Sequence, residues 1–227
     1  MNTEQDNGAI QIENCRFAYK GQNQNTIDIK NLKIYKGEKV FLYGPSGHGK
    51  STLLNLIAGV LTSNEGNIIV LGSDLKKLSQ GKRDKIRGEK IGYIFQIFNL
   101  IPYLSVLDNI ILPSLINKKR SHNNIHQEAM ELVNALGLTK LLSQAVSELS
   151  IGQQQRVACA RALIGQPEII IADEPTSALD EKNNEEFMSL LMNQWEKKKF
   201  TLLFVSHDER LKVYFDRTIS LPEINHV

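Results

Sequence analysis

The sequence predicts an α/β fold: a mainly parallel sheet with helices on both faces, an antiparallel β subdomain at its N-terminal side, and an α-helical lobe inserted into the chain. Three observations predict it. Short, continuous apolar runs, among them Val40-Phe41-Leu42-Tyr43, Ile169-Ile170-Ile171-Ala172 and Thr201 to Val205, are separated by helical stretches, as expected of strands buried on both faces. A glycine-rich loop stands between the first of these runs and a helical pattern, the strand, loop, helix order of a nucleotide fold. Between about Gln96 and Gly165 the pattern changes to helices. With 227 residues, 41% of them hydrophobic, the chain can bury one sizeable core with a lobe attached. A single domain over 1–227 is therefore expected, with its core at about 8–95 and 166–222 and its helical lobe at about 96–165.

Taken in order, Ile10 and Ile12 alternate, Phe17 and Tyr19 continue the period of two, and Ile27, Ile29, Leu32 and Ile34 form a second run ending at Lys36-Gly37-Glu38. Two strands and a turn follow from this. After the strand at Val40 comes a helix from about Lys50 to Gly59, a turn at Asn64-Glu65-Gly66 and a strand from Ile68 to Leu71. The lobe reads as helices over Ser105 to Leu115, Ser121 to Leu136 (with Met130, Val133 and Leu136 on one face) and Gly152 to Ile164, with a polar, solvated link from Asn117 to Asn124. The core resumes at Ile169, followed by a helix reaching Lys199, the strand at Thr201, a short helix and a last strand near Thr218 to Leu221. Trp195 stands four and five positions after Leu191 and Leu190, so it is assigned to core packing.

Composition excludes several classes. The 27 basic and 25 acidic residues leave a net charge of +2 and are spread along the chain, so nothing calls for nucleic acid. Cys15 and Cys159 have no CxxC spacing and read as buried small apolar residues of a reducing compartment. Met1 to Gly8 lacks the basic start and apolar run of a secretion signal. The most apolar stretch, Ile91 to Ile116, is broken by Gln96, Asn99, Pro102, Asp108, Asn109 and Pro113, so no spanning helix is expected. His122, His126 and His226 lack metal-site spacing and are assigned to the surface.

The chemistry starts at Gly44-Pro45-Ser46-Gly47-His48-Gly49-Lys50-Ser51-Thr52, which satisfies G-x-x-x-x-G-K-[S/T]. Glycines let successive backbone NH groups converge on phosphate oxygens, and the following helix presents its positive end. Lys50 supplies a cation near the β and γ phosphates, and Ser51 can hold Mg²⁺. Downstream, Asp173 and Glu174 place two carboxylates at the C-terminal end of a buried strand, where open α/β sheets bind ligands. Asp173 is expected behind the Mg²⁺ and its waters, and Glu174 facing the attacking water. A glutamate is a weak base at neutral pH, so Glu174 is expected mainly to orient and polarise that water. The two motifs together define a P-loop NTPase core.

Leu149-Ser150-Ile151-Gly152-Gln153-Gln154-Gln155-Arg156, at the start of a helix, resembles the signature motif of ABC ATPases, normally LSGGQ. Alone, Ser150 would read equally well as a helix cap. The remaining family elements follow in the right order and decide the matter. Tyr19 resembles the aromatic that stacks on adenine, Gln96 the glutamine that touches Mg²⁺ and the water, and Ser177-Ala178-Leu179-Asp180 the loop that crosses the dimer interface. His207, in Val205-Ser206-His207-Asp208, resembles the switch histidine at the γ-phosphate. The resemblance covers nearly the whole chain. It implies an ABC ATPase fold, ATP and Mg²⁺ as cofactors, and a homodimer in which Ser150, Gly152, Gln153 and Asp180 reach the nucleotide of the opposite subunit.

Phe95 to Ile110 is similar to the same region in ATPases of lipoprotein-releasing and macrolide-export systems. This implies a transmembrane permease subunit docking near Gln96 to Leu104, with Phe98, Leu100, Ile101 and Tyr103 as the apolar surface, and a peripheral location on the cytoplasmic face of the inner membrane. Three departures are visible. Ile151 replaces the first signature glycine, His48 fills a variable loop position where its imidazole offers a pH-sensitive phosphate contact, and the chain lacks the Asp-Gly turn and extra strand that usually follow Leu221-Pro222. The rival readings are a soluble ABC ATPase, for which two ATP modules or a coiled coil are expected, a regulatory ATPase controlling an envelope partner without transport, and a P-loop kinase, which needs an acceptor site and lid.

Overall fold

A computed structural model describes residues 7–22, 24–117 and 124–227. Its elements run β1 (Gly8–Phe17), β2 (Ile27–Tyr35), β3 (Lys39–Tyr43), α1 (Lys50–Ile57), β4 (Glu65–Val70), β5 (Ser73–Asp74), α2 (Gln80–Lys90), β6 (Ile91–Ile94), α3 (Val106–Ile116) and α4 (Ile125–Ala135). They continue with α5 (Ile151–Leu163), β7 (Ile169–Asp173), α6 (Glu181–Lys198), β8 (Thr201–Val205), β9 (Arg217–Ser220) and α7 (Leu221–Ile224). Short 3₁₀ turns lie between them.

Two sheets form. One is antiparallel, in the order β2-β1-β4-β5; the other is parallel, in the order β6-β7-β8-β3-β9. The α/β class and the two kinds of sheet are as expected from the apolar patterning. Side chains of the parallel strands alternate between two cores. Phe41, Ile170, Ala172, Leu202 and Phe204 face the core shared with α3 to α6. Val40, Leu42, Ile169, Ile171, Leu203 and Val205 face the core shared with α1 and the antiparallel sheet. Burial on both faces is why these strands read as unbroken apolar runs.

Several details differ from expectation. Strand β1 stops at Phe17, leaving Tyr19 in the following loop, and β9 stops at Ser220, where α7 begins. Helix α4 buries Ala129, Leu132 and Val133, while Met130 is 41% exposed, so the apolar stripe runs one position away from Met130. The expected start of that helix at Ser121, and most of the polar link before it, lie outside the described residues. Helix α2 has no counterpart in the sequence reading, because Ile86 is its single apolar side chain and packs only partly buried against the core, with no residue of the helix fully buried. Trp195 packs half-buried at the margin of the helical core, its ring flanked by the ammonium groups of Lys39 at 4.1 Å and Lys199 at 4.0 Å. Cys15 and Cys159 are both buried, and burial pushes their thiols up to about 11 and about 12. No helix among the described residues is long and apolar enough to cross a membrane.

Close backbone approach fixes how α5 sits on the sheet. A Cβ on Gly92 of β6 would lie 2.1 Å from the Ala162 carbonyl oxygen and 2.5 Å from Ile170 Cδ1. Gly92→Ala is expected to destabilise the fold by roughly 2–4 kcal/mol through overpacking. In a chain of this size, that lowers the melting temperature by roughly 5–10 °C. An unchanged melting curve would show that α5 does not need this contact.

Candidate nucleotide site

Strand β3 delivers the phosphate loop to the C-terminal edge of the parallel sheet. Gly47 and Gly49 have φ of +81° and +89°, in the left-handed region that glycine tolerates. At Gly49 a Cβ would also lie 2.9 Å from the Thr26 carbonyl oxygen, so this position is closed to side chains on two counts. Lys50, at the start of α1, folds its ammonium back to donate to the carbonyls of Gly44 at 2.7 Å and Pro45 at 3.3 Å.

The opposite wall comes from the ends of β6, β7 and β8. Glu174 follows β7 with φ of +47°, unusual for a residue with a side chain, and its NH donates to the Val205 carbonyl at 2.9 Å. Its carboxylate is buried and paired twice, with Lys50 Nζ at 3.6 Å and His207 Nδ1 at 2.7 Å. Because a carboxylate only accepts, His207 Nδ1 carries the proton in that bond. Asp173 is held protonated to a higher pH than an ordinary aspartate, chiefly by burial and also by the neighbouring Glu174 charge, although hydrogen bonds from Ser51 and Tyr93 and the Lys50 charge act against this.

Between the walls lies a cleft of about 610 Å³. Tyr19, Ser46, Gly47, Gly49, Lys50, Ser51, Thr52, Gln96, Asp173, Glu174 and His207 line it, so the structure brings these expected residues together. Tyr19 is anchored through its hydroxyl, 3.0 Å from Thr52 Oγ1. Gln22 and Thr26 line the cleft as well, though nothing in the sequence marked them. Tyr93 was also missed; the pairing of β6 with β7 is the signal that would have set it beside Asp173.

Other expected residues fall elsewhere. Gly44 lies beneath the loop, where a Cβ would be 3.1 Å from Pro222 Cδ. His48 lines an adjoining cavity of about 740 Å³ with Gln22, Gln24, Asn25 and Thr26, its Nδ1 3.1 Å from the Ser46 carbonyl. Ser150 caps α5: its hydroxyl accepts from Gln153 NH at 3.3 Å while the Gln153 side chain accepts from Ser150 NH at 2.9 Å, a reciprocal capping box. Asp180 caps α6 by accepting from Asn183 NH at 2.9 Å, which holds its carboxyl below the usual range. Gly152 meets α6 directly, since a Cβ there would be 2.9 Å from Asn183 Oδ1. None of Ser150, Gly152, Gln153 or Asp180 lines the cleft of its own chain.

A phosphate loop opening a helix, faced by paired carboxylates from a parallel strand one strand removed, defines the class of P-loop nucleotide hydrolases. Comparison with known proteins narrows this class. A family model described as ABC transporter matches residues 27–177, and the chain belongs to that family. It is 41% identical over 194 residues to the lipoprotein-releasing system ATP-binding protein LolD of Buchnera aphidicola, covering 86% of this chain and 84% of that one. It is 37% identical over 216 residues to the uncharacterized ABC transporter ATP-binding protein YvrO of Bacillus subtilis, covering 94% and 93%. Among solved structures, the dimeric post-hydrolysis state of the ATP-binding cassette MJ0796 bound to ADP and Pi matches with a TM-score of 0.83 at 36% identity, covering 93% of each chain. The expected family, fold and ATP-hydrolysing activity are thus borne out: the chain is the ATP-binding subunit of an ABC transporter.

Asp173 gives the site a measurable pH signature. An acid whose pKa is raised on folding binds its proton more tightly in the folded state, so its contribution to stability is present at low pH and is lost as pH rises from the ordinary carboxylate range through the raised value. Asp173→Asn is therefore expected to raise the melting temperature of the ligand-free chain at pH 7, by roughly 1–3 °C, and by less at pH 4. Calorimetric scans at the two pH values check this, and a lower melting temperature at pH 7 would contradict it.

Proposed function

We propose that two copies of the chain clamp two ATP molecules between them and that closing and reopening of this pair drives a separate transmembrane permease. One observation carries the reading. The cleft of each chain holds a complete phosphate loop and carboxylate wall, whereas Ser150, Gly152, Gln153 and Asp180 sit at two adjacent helix starts outside it. Helix starts attract anions. Placed across a twofold axis, those of one copy reach the γ-phosphate held by the other. The dimeric form of the MJ0796 cassette supports the same arrangement.

Within one site, Tyr19 stacks on the adenine, and the loop from Gly44 to Thr52, with His48 contributing its backbone NH, cradles the phosphates. Lys50 exchanges its two carbonyl partners and its contact with Glu174 for the β and γ phosphates. Glu174, freed from Lys50, accepts a hydrogen bond from the attacking water and aligns it for displacement at the γ-phosphorus. His207 keeps Glu174 in place through Nδ1 and turns its other ring nitrogen to the γ-phosphate. The oxygen donors Ser51, Gln96 and Asp173 would hold Mg²⁺, which when bound neutralises charge on the transferred phosphoryl group. The donor set fits that ion: all three are hard oxygen donors lining the same cleft, which leaves room for phosphate and water oxygens as further ligands.

The permease docks on the segment Gln96 to Leu104, placing the subunit peripherally on the cytoplasmic face of the inner membrane. Ile97 and Tyr103 are 80% and 81% exposed there, while Phe98, Leu100 and Ile101 are only half-buried, so Ile97 and Tyr103 form the apolar contact. The cargo we propose is an envelope lipoprotein, drug or peptide, and the likeness to LolD, the ATP-binding protein of a lipoprotein-releasing system, supports the first of these.

Glu174→Gln is expected to keep ATP binding while lowering turnover by roughly 10²-fold or more and accumulating an ATP-loaded dimer, read by light scattering and phosphate release. A variant that hydrolyses ATP normally would remove Glu174 from its assigned role. Lys50→Ala is expected to weaken ATP binding by roughly 10²-fold in equilibrium titration, since a cation in contact with phosphate contributes about 2–3 kcal/mol.

A further inference from the structure

Arg161, near the C-terminal end of α5, is not used by any step above. Its guanidinium donates through Nη1 to the Asn99 carbonyl and through Nη2 to the Phe98 carbonyl, each at 2.6 Å. No carboxylate pairs with it among the described residues, and burial alone lowers its pKa. A desolvated cation without a counter-ion is costly and persists only where fixed dipoles replace water. The two carbonyls supply those dipoles, and Asn99, with φ of +50°, adopts the left-handed backbone at that turn. A second anchor lies just beyond. Asn109, fully buried at the start of α3, accepts from Ile101 NH at 2.8 Å and donates to the Ile101, Leu104 and Ser105 carbonyls. The backbone from Phe98 to Ser105 is therefore held from beneath, while Ile97 and Tyr103 face outward.

The other end of α5 begins at Ser150, and no glycine or proline interrupts the helix between Gln153 and Leu163. Gly152 and Arg161 are separated by roughly 14 Å of regular helix. We infer that Arg161 is a positioning residue: it fastens the segment 97–105 to α5, so that a pull on the helix start by a second copy's nucleotide shifts Gln96 and the exposed Ile97 and Tyr103 together. This rests on the two-copy reading above. The planar fork of arginine suits two consecutive carbonyls, whereas a lysine ammonium reaches one of them as a point charge.

Hydrogen exchange by mass spectrometry on the full chain carrying Glu174→Gln, with and without ATP and Mg²⁺, tests the linkage. ATP is expected to slow exchange in peptides covering 150–156 and also 97–105. Adding Arg161→Gln is expected to keep the protection at 150–156 and to abolish the ATP response at 97–105; Arg161→Lys, which keeps the charge and most of the packing, is expected to restore less than half of it. In the Glu174 background, Arg161→Lys is also expected to lower kcat several-fold with KM for ATP within twofold, because the phosphate loop is untouched. An ATP response at 97–105 that is equal in all three forms would overturn the linkage. Absence of ATP protection at 150–156 in the parent would overturn the two-copy reading and the linkage with it.

Discussion

A sheet covered on both faces leaves polar groups one place to gather. Successive side chains of β3, β7 and β8 enter one apolar core or the other, so charge can appear only where these strands end. All three end at the same edge, and the residues gathered there are the phosphate loop, Asp173 at the last position of β7 with Glu174 after it, and Ser206 with His207. Lys50 and Glu174 are largely shielded from water there, while His207 reaches Glu174 from the exposed rim. Lys50, Glu174 and His207 accordingly form one mutually compensating set rather than three separate side chains.

That set makes the ligand-free cleft self-consistent. The Lys50 ammonium rests on the Gly44 and Pro45 carbonyls, and Glu174 keeps its partners despite a strained backbone, so no bare charge waits for the nucleotide. Binding becomes an exchange of partners at nearly constant count, and triphosphate must outcompete groups already in place. The helix starts at Ser150 and Asp180 are likewise pre-satisfied by their own caps. Their exposure, rather than any vacancy, makes them available to a second molecule.

Much of this was legible in the sequence because the governing spacings are short. The phosphate loop is one contiguous segment, the Asp173-Glu174 pair ends an apolar run, and the parallel strands declare themselves by lacking polar alternation. What escaped was set by contacts across the chain. Gln22 and Thr26 reach the cleft only because β1 and β2 fold back toward the loop, with Thr26 beside Gly49. Met130 shares a helical period with Val133 and Leu136, yet the burying stripe of α4 runs through Ala129, Leu132 and Val133. Helix α2 touches the core through Ile86 alone, and one apolar residue sets up no period to detect. Asn109 read as a mere interruption of an apolar stretch, whereas its side chain ties the turn from Ile101 to Ser105.

The flanked indole of Trp195 has a consequence of its own. It is the single tryptophan of the chain, and its ring lies between a lysine of β3, the strand that carries the phosphate loop, and one just past α6, the helix that begins at Asp180. Two positive charges a few ångströms from the ring act on its excited-state dipole. Sliding of α6 against β3 would therefore shift the emission colour, giving the molecule a native optical gauge of its motion that requires no dye.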